Sequence, residues 1–265
     1  MIKTILKPAD FIRYTEFGHF IKIIKQNKIQ SNSPVLDISS PYLMAYYLAK
    51  QHLVTKTDIN IAEKSNIKDS TTLHFEHIDG TNMPYSDHTF DMTYSISVVE
   101  HIYQNYTLAI KEMIRVTKPK GLIYLSFPVS ATHVEEWLEK DIYSNQTTVN
   151  NKVFFQYRFC ERDVITFKEQ LGNTVEVLNE DIFWEKNNGY YNRVISKMQK
   201  ANKLGVVGFF INCIYNTCYG FTCLKSTSHF SIKPSLHFLA YRKLLNLLYL
   251  DFSCSFLPLQ MKWQG

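Results

Sequence analysis

Short apolar segments alternate with helical segments through the first half of this chain, and this alternation restricts the fold more than any other feature. Three of the apolar segments carry an aspartate at or near their end: residues 35–38 with Asp37, residues 53–59 with Asp58, and residues 73–79 with Asp79. Strands separated by helices pair in parallel through right-handed crossovers, with helices on both faces of the sheet. The pattern therefore predicts a doubly wound α/β fold with a mostly parallel sheet.

The remaining segments of this pattern extend the predicted sheet. Apolar runs at 90–97 and 121–128 are further strands, and helical spacing occurs at 42–50 and 106–116. The second of these helices is expected to end at Lys118-Pro119-Lys120-Gly121, because proline and glycine do not extend a helix. Beyond Pro128 we predict, in order, a short helix, an aromatic strand, a helix and a long strand: residues 134–140, 152–159, 162–171 and 174–185.

Three parts of the chain differ in character. Residues 1–33 are predicted to form a helical N-terminal cap, with an amphipathic helix over 10–29, and residues 34–185 the α/β domain. Residues 186–265 are an aromatic-rich C-terminal extension, in which 219–225 is a candidate for the last sheet strand and 236–250 a second apolar helix. Two interpretations of this extension stay open: a helical cap over the ligand pocket, or a surface that contacts a membrane through residues 205–250.

Composition narrows the class of protein. With 45% hydrophobic and 20% charged residues, the chain can form a packed core. The net charge of +5 is spread along the chain and no nucleic-acid-binding motif is visible, so a nucleic-acid partner is not expected. The 5 cysteines lack paired spacing and the histidines lack metal-ligand spacing, so neither a disulfide framework nor a metal site is predicted. The N-terminus lacks a secretory apolar core, which favours a cytoplasmic setting.

The aspartates at the strand ends are the first candidates for ligand binding. In open α/β sheets, ligands bind beyond the carboxyl ends of the strands. Asp58 follows Asp37 by about 20 residues, the distance at which an acid accepts both ribose hydroxyls of a nucleoside; its alternative role is a helix cap or a turn. Asp79 and Gly80 could bind the edge of an adenine ring, or simply form a turn.

Four sequences between Pro34 and Pro128 then resemble, in order and spacing, the small-molecule branch of the class I S-adenosylmethionine-dependent methyltransferases. They are VLDIS, TDIN, HIDGTNMPYSDHTFDMTYSISVVEHI and AIKEMIRVTKPKGLIYLSFP. The resemblance implies a Rossmann-like domain with a seven-stranded sheet and S-adenosylmethionine as cofactor. It also implies methyl transfer to an oxygen or nitrogen of a small-molecule acceptor, of either saccharide or lipid type.

The same resemblance implies a role for individual residues. Asp37, Ser39 and Ser40 would line the methionine part of the cofactor, and Ser95 would lie at its amino-acid end. Around the nucleoside, the implied residues are Asp58 at the ribose, Ile59 against the adenine face, and Asp79 with Gly80 at the adenine edge. His101, next to Glu100, would lie close to the transferred methyl group and is the candidate general base.

One departure from the family stands out. The family's first loop reads D-x-G-x-G-x-G, whereas this chain has Asp37-Ile38-Ser39-Ser40-Pro41-Tyr42-Leu43, without glycine. Glycine allows the backbone to approach a ligand closely, and Pro41 lacks an N–H group. The alternative function is therefore a methyltransferase-like binding or scaffold protein that no longer uses the cofactor. A dehydrogenase is disfavoured because the dinucleotide glycine motif is missing at the same loop.

Overall fold

The computed structural model describes residues 11–60, 70–143, 146–185, 190–226 and 255–263. The chain divides into two compact units. The first comprises Met1–Lys22 with Asp181–Phe256, and the second comprises Ile23–Glu180 with Leu257–Gly265. All the site residues predicted above belong to the second unit.

A parallel sheet of five strands forms the centre of the second unit. The strands are β1 (Pro34–Ile38), β2 (Leu53–Thr57), β3 (Leu73–Glu76), β4 (Phe90–Ile96) and β5 (Thr117–Pro128). Their order across the sheet is β5-β4-β1-β2-β3, and each neighbouring pair is parallel. Strands β2 and β3 lie on one side of β1, and β4 and β5 lie on the other, so the topological switch point of the sheet is between β1 and β4. Ligands bind at this point in such folds. The predicted α/β class is confirmed, whereas the count of seven strands stays a prediction.

Helices α1 (Phe11–Asn27), α2 (Tyr42–Leu48), α3 (Tyr106–Val116) and α4 (Glu161–Leu171) lie close to their predicted positions. Helix α3 turns Ile110 and Met113 into the core and ends at Val116, where β5 begins at once. Gly121 has a steric role within β5, because a Cβ atom there would lie 2.7 Å from the carbonyl oxygen of Lys118.

The prediction of a helix over 134–140 is wrong. Residues Val134–Leu138 form strand β6, which pairs antiparallel with β8 (Lys152–Arg158); β7 (Thr148–Val149) pairs with the other edge of β8. Trp137 packs against Phe154 across these strands, with ring centroids 5.4 Å apart. Cross-strand aromatic packing of this kind outweighs the helix preference of Glu135 and Glu136.

The long strand predicted over 174–185 is interrupted. Strand β9 (Val175–Glu180) ends before Asp181, and β10 (Phe183–Glu185) begins after it. Strand β12 (Ser255–Trp263) lies next to β5 and pairs antiparallel with β9. The interruption has a physical reason, because the Asp181 side chain is buried in a hydrogen bond to His19.

In the C-terminal extension, α5 (Tyr190–Ala201) and α6 (Gly205–Cys223) are followed by β11 (Leu224–Ser226), which pairs antiparallel with β10. The strand predicted over 219–225 is therefore helical up to Cys223. The helix predicted over 236–250 lies outside the described residues. Among the helices that the structure describes, none is long and apolar enough to cross a membrane.

His19 and Asp181 form a buried polar pair in the first unit. The side chains are 1% and 3% exposed, and the Nε2–H group of His19 donates to Asp181 Oδ2 over 2.8 Å. Burial lowers the pKa of His19 below 6.5; Asp181 opposes this shift and Lys22 adds to it. Because the unfolded chain binds the proton more readily, stability from this group is complete above pH 6.5 and is lost as the pH falls toward the folded-state pKa.

The free energy of unfolding should therefore fall between pH 7.5 and 5.5, by at most about 1.4 kcal/mol per pH unit for this one proton. Urea denaturation measures it. His19→Gln should flatten the slope without abolishing it, because burial also lowers the pKa of His52. His74→Gln, at an exposed position, should keep the wild-type slope. Equal slopes for wild type and His19→Gln would contradict the prediction.

Candidate functional site

The segments that follow β1 to β4 meet at the carboxyl edge of the central sheet. The structure places the predicted site residues at this edge or in the strand ends just beneath it: Asp37 in β1 with Ser39 and Ser40 after it, Asp58 and Ile59 after β2, Asp79 and Gly80 after β3, and Ser95 in β4 with His101 after it. Parallel pairing of the four strands places these segments side by side.

A buried polar row crosses three strands directly beneath this edge. Lys56 and Tyr94 are the register partners of Asp37 on β2 and β4, and all three side chains are fully buried. The Tyr94 hydroxyl donates to Asp37 Oδ2 over 2.6 Å, and Lys56 Nζ lies 3.4 Å from Asp37 Oδ1. The row therefore ties β4, β1 and β2 together through one carboxylate.

The charges in this row balance each other. Burial raises the pKa of Asp37, while the Lys56 ammonium, the Tyr94 hydroxyl and the bonds from Ser40 oppose that shift. Burial and the neighbouring Asp37 carboxylate raise the pKa of Tyr94 well above its ordinary value, so this phenol remains a hydrogen-bond donor. An isolated charge would be costly here, and the pairing makes burial tolerable.

The loop after β1 rests on the same row. Lys56 Nζ donates to the Ser40 carbonyl and lies 4.7 Å from the ring centroid of Tyr42. Asp37 Oδ1 accepts the Ser40 N–H over 2.8 Å, and the Ser40 hydroxyl accepts the Ile96 N–H over 2.9 Å. The loop is therefore fixed by a carboxylate, an ammonium and a hydroxyl.

Ser39 has the backbone conformation of a glycine. Its φ is 51°, in the left-handed region that disfavours residues with a Cβ atom, and it stands where the family has its first glycine. Its N–H donates to the Thr57 carbonyl over 2.9 Å. The loop keeps a glycine-type turn, but the N–H groups of Ser39 and Ser40 are engaged within the protein and Pro41 has none.

Asp58 and Asp79 end neighbouring segments and both form local turns. Asp58 Oδ1 accepts the Asn60 N–H over 2.9 Å, and Asp79 Oδ1 accepts the Thr81 N–H and hydroxyl, each over 2.8 Å. The turn role is thus present at both positions, and it occupies the same oxygen, Oδ1, of each carboxylate. Ile59, which follows Asp58 directly and is 45% exposed, offers an apolar side chain at this edge.

Gly80 and Ser95 lie deeper in the site. A Cβ atom on Gly80 would come within 3.0 Å of Ile38 Cγ2, so glycine allows a close approach of this loop to the end of β1. Ser95 belongs to β4 itself, within the strand predicted over residues 90–97. Its hydroxyl is fully buried and has no hydrogen-bond partner among the described residues. Such an orphaned polar atom is a candidate contact for a ligand.

His101 ends the 3-10 turn Val99–His101 after β4 and has a defined proton arrangement. Its Nδ1 lies 2.6 Å from the Phe155 carbonyl oxygen, and a carbonyl oxygen only accepts, so Nδ1 carries the hydrogen. In the neutral ring, Nε2 is then left as the proton acceptor. It lies 3.8 Å from Glu100 Oε1, in a side chain that is 21% exposed.

Tyr143 links the segments after β2 and β4. Its carbonyl accepts the Asn60 side-chain amide over 2.8 Å, and its ring contacts the rings of His101 and Phe155 with centroids 5.3 and 6.2 Å away. Because β1 lies between β2 and β4, this chain of contacts spans the carboxyl end of β1. Sequence analysis did not identify Tyr143.

The sequence analysis also did not identify Lys56 and Tyr94 as site residues. A signal for Lys56 existed, because period-two alternation in β2 places Lys56 on the same face as the apolar Val54. A lysine on the buried face of a central strand requires a nearby acid. Its partner is fixed by register, which the sequence alone does not give.

The family-like sequence E-x-x-R in α3 is structural. Arg115 bonds Glu112, Asp87 and the carbonyls of Met83 and Tyr85, and Glu112 accepts the Met83 N–H. These bonds fix the turn before β4 onto α3 and hold the pKa of Glu112 below its usual value. Among the described residues, no group of three or more metal-ligating side chains is found.

A recess opens beyond the carboxyl ends of β4 and β5. It is small, with room for about one water molecule, and it is partly open to solvent. Its lining is apolar and aromatic apart from one carboxylate: Val99, Tyr106, Ile110, Phe127, Phe159, Asp163, Val164 and Phe167. Burial raises the pKa of Asp163, but hydrogen bonds from the Cys160 N–H and from His133 lower it further, so the pKa lies below its usual range. The carboxylate is therefore ionised at neutral pH.

Comparison with known proteins identifies the central part of the chain. Residues 37–125, about a third of the chain, match the family described as "methyltransferase domain". This region is a class I, Rossmann-like methyltransferase domain, of the class that uses S-adenosylmethionine as methyl donor. Its first loop lacks the glycines of the family pattern.

Curated relatives match over short stretches. A tRNA (carboxymethyluridine(34)-5-O)-methyltransferase from Arabidopsis thaliana is 29% identical over 109 residues, 35% of this chain and 27% of that protein. An uncharacterized methyltransferase from Mycolicibacterium gilvum is 42% identical over 55 residues, 21% of each chain. The chain thus spans about a quarter or less of the curated relatives it matches.

Solved structures share the fold at low identity. The [4+2]-cyclase SpnF is 12% identical with a TM-score of 0.50, over 93% of this chain and 81% of that one. The Burkholderia thailandensis 1,6-didemethyltoxoflavin-N1-methyltransferase is 10% identical with a TM-score of 0.50, over 94% and 79%. These likenesses establish the fold alone, since one of the two proteins is named for a cyclisation.

Removal of the Lys56 ammonium should destabilise the protein strongly. Lys56→Met leaves the buried Asp37 carboxylate without its compensating charge, for which we expect a loss of about 3–5 kcal/mol in the free energy of unfolding. Guanidinium denaturation measures it. Lys118→Met is the matched control, because it breaks a surface ion pair with Asp91 and should cost less than about 1 kcal/mol. Equal losses for both variants would refute the proposed role of the row.

The effect of a substitution at Ser39 on stability should depend on how well the new residue tolerates a φ of 51°. Ser39→Gly removes about 1–2 kcal/mol of left-handed strain, which exceeds the added chain entropy, so a net gain in stability is expected. Ser39→Val should lose stability, because β-branched residues avoid this region. Ser86→Gly, at an exposed loop residue outside the left-handed region, should lose stability instead. Thermal unfolding distinguishes the three variants.

Proposed function

We propose that this protein is an S-adenosylmethionine-dependent methyltransferase that transfers a methyl group to an oxygen or nitrogen of a small molecule. The observation that carries the proposal is the φ of 51° at Ser39. A loop that had lost its ligand would be free to relax to an unstrained backbone, whereas this one is held in a glycine-type turn by Asp37 and Lys56.

The residues at the carboxyl edge fit the cofactor. The Asp58 and Asp79 carboxylates lie on neighbouring strand ends and suit the ribose hydroxyls and the adenine amino group. Ile59 supplies an apolar surface for the adenine ring. At the amino-acid end, the buried Ser95 hydroxyl has no hydrogen-bond partner in the part of the chain that the structure describes. It is available in place of the loop N–H groups that Ser39 and Ser40 use internally.

Methyl transfer requires alignment of an acceptor with a methyl group on a positively charged sulfur, which S-adenosylmethionine supplies when bound. The bound cofactor would supply an electrophilic methyl group, which the acceptor oxygen or nitrogen would receive as it loses a proton. His101 Nε2 takes the proton that the acceptor loses, since the Phe155 carbonyl holds the hydrogen on Nδ1. After the transfer, Glu100 Oε1, 3.8 Å away, stabilises the resulting imidazolium.

The apolar surface around the recess beyond β4 and β5 suits the body of the acceptor, which would lie against this surface and not inside the recess. The recess begins at Val99, two residues before His101, and its walls are aromatic and aliphatic. The ionised Asp163 and the Tyr106 ring at this wall favour an acceptor with a ring or apolar body and a cationic or hydrogen-bond-donating group. This lining favours the apolar type of acceptor over a saccharide.

Calorimetric titration with S-adenosylhomocysteine tests the cofactor site directly. Wild type should bind, and Asp58→Ala should weaken the affinity about 10- to 100-fold, because charge-assisted bonds to the ribose are lost. Asp91→Ala is the matched control, since this acid lies at the amino end of β4 and pairs with Lys118. It should bind as wild type does. A folded wild-type protein that binds neither S-adenosylhomocysteine nor S-adenosylmethionine would instead support the cofactor-free scaffold.

A further inference from the structure

The charge of this chain is segregated along the sequence. Residues 186–250 contain 9 Lys and Arg and no Asp or Glu, a stretch of 65 residues without an acid. The other 200 residues contain 20 Lys and Arg against 24 Asp and Glu. The chain thus combines a strongly basic segment with a mildly acidic rest. Such an asymmetry is typical of proteins that bind a polyanion or an anionic membrane.

The described part of this segment is a helical hairpin with a defined inner face. Gly208 of α6 lies so close to the end of α5 that a Cβ atom would fall 1.8 Å from the Ala201 carbonyl oxygen. The Asn212 side chain is fully buried and donates to Asn202 Oδ1 over 2.6 Å. Both residues lie on one side of α6, four positions apart, so this side packs against α5 and the turn.

In the part of α6 whose side chains the structure describes, the opposite side is apolar and exposed as far as Ile214. Val207, Phe210 and Ile214 follow each other at intervals of three and four and are 61–62% exposed. Leu204 and Val206 beside them are 58% and 59% exposed. Isolated exposed apolar side chains are common on soluble proteins, but five along the turn and the first half of α6 form a patch of the kind that contacts a partner or a membrane.

Basic side chains accompany the patch. Lys203 in the turn is exposed, and Lys197 and Lys200 are exposed on α5. A helical segment that presents large apolar side chains next to lysines, without any acid, has the chemistry of a surface that lies in the headgroup region of an anionic bilayer. An RNA partner would use the lysines but not the aliphatic and phenyl side chains of α6.

We propose that the α5–α6 hairpin docks the protein on anionic membrane surfaces, with Leu204, Val207, Phe210 and Ile214 inserted among the lipid headgroups and the lysines bound to lipid phosphates. This docking is independent of methyl transfer: loss of cofactor binding would leave it intact. It brings the catalytic unit to a membrane, where apolar acceptors accumulate.

Flotation of the full-length protein with vesicles tests the proposal. Wild type should float with phosphatidylcholine vesicles that contain 30% phosphatidylglycerol and remain in the lower fraction with phosphatidylcholine alone. Raising the NaCl concentration should release it, because salt screens the lysines. Phe210→Glu/Ile214→Glu should lower the partition coefficient at least tenfold. Lys200→Glu/Lys203→Glu should lower it about fivefold or more for each lysine.

The matched control is Leu108→Glu/Ile165→Glu, which places the same charges at helical positions that are 45% and 47% exposed elsewhere. It should float as wild type does, and circular dichroism should show that all variants fold. The proposal fails if wild type ignores anionic vesicles or if the control loses as much binding as the α6 variant. It also fails if Phe210→Glu/Ile214→Glu only converts a dimer to a monomer, or if the lysine variant loses tRNA binding while no vesicle binding occurs.

Discussion

The buried contact between Lys56, Asp37 and Tyr94 is the interaction on which the site depends. One carboxylate receives a phenol from β4, an amide N–H from the following loop and an ammonium from β2. None of these groups contacts water. Removing one therefore leaves another buried without a hydrogen-bond or ion-pair partner, which costs several kcal/mol in the low-dielectric interior of the protein. The row thus fixes the spacing of three strands and the shape of the loop above them at the same time.

This arrangement explains how a loop without glycine keeps a glycine-type turn. In a glycine-rich loop, the left-handed conformation carries little steric penalty, so the loop needs no outside restraint. Here Ser39 bears that penalty, and the Lys56 bond to the Ser40 carbonyl together with the Asp37 bond to the Ser40 N–H offsets it. Because the Ser39 and Ser40 N–H groups are already bonded within the protein, a bound ligand would have to accept hydrogen bonds from other groups in the site.

The two halves of the family resemblance have different physical meanings. The E-x-x-R sequence in α3 holds a turn against a helix through Glu112 and Arg115, and it serves the fold whatever the chemistry. The segment around His101 shapes a site, since its ring is oriented by Phe155 and contacted by Tyr143. A shared fold accompanies different reactions in the neighbouring structures, so the reaction depends on such side chains and not on the sheet.

The sequence by itself determined where the strands and helices lie along the chain and which aspartates stand at the carboxyl ends of strands, because hydrophobic periodicity and chain order are local properties. It failed at residues 134–138, where pairing with β8 overrides the preference of the segment, and at the end of α6. Only the tertiary structure decided that Lys56 faces Asp37, that Ser39 is left-handed and that Tyr143 bridges β2 and β4. These depend on register and on contacts between residues far apart in the chain, which no local pattern encodes.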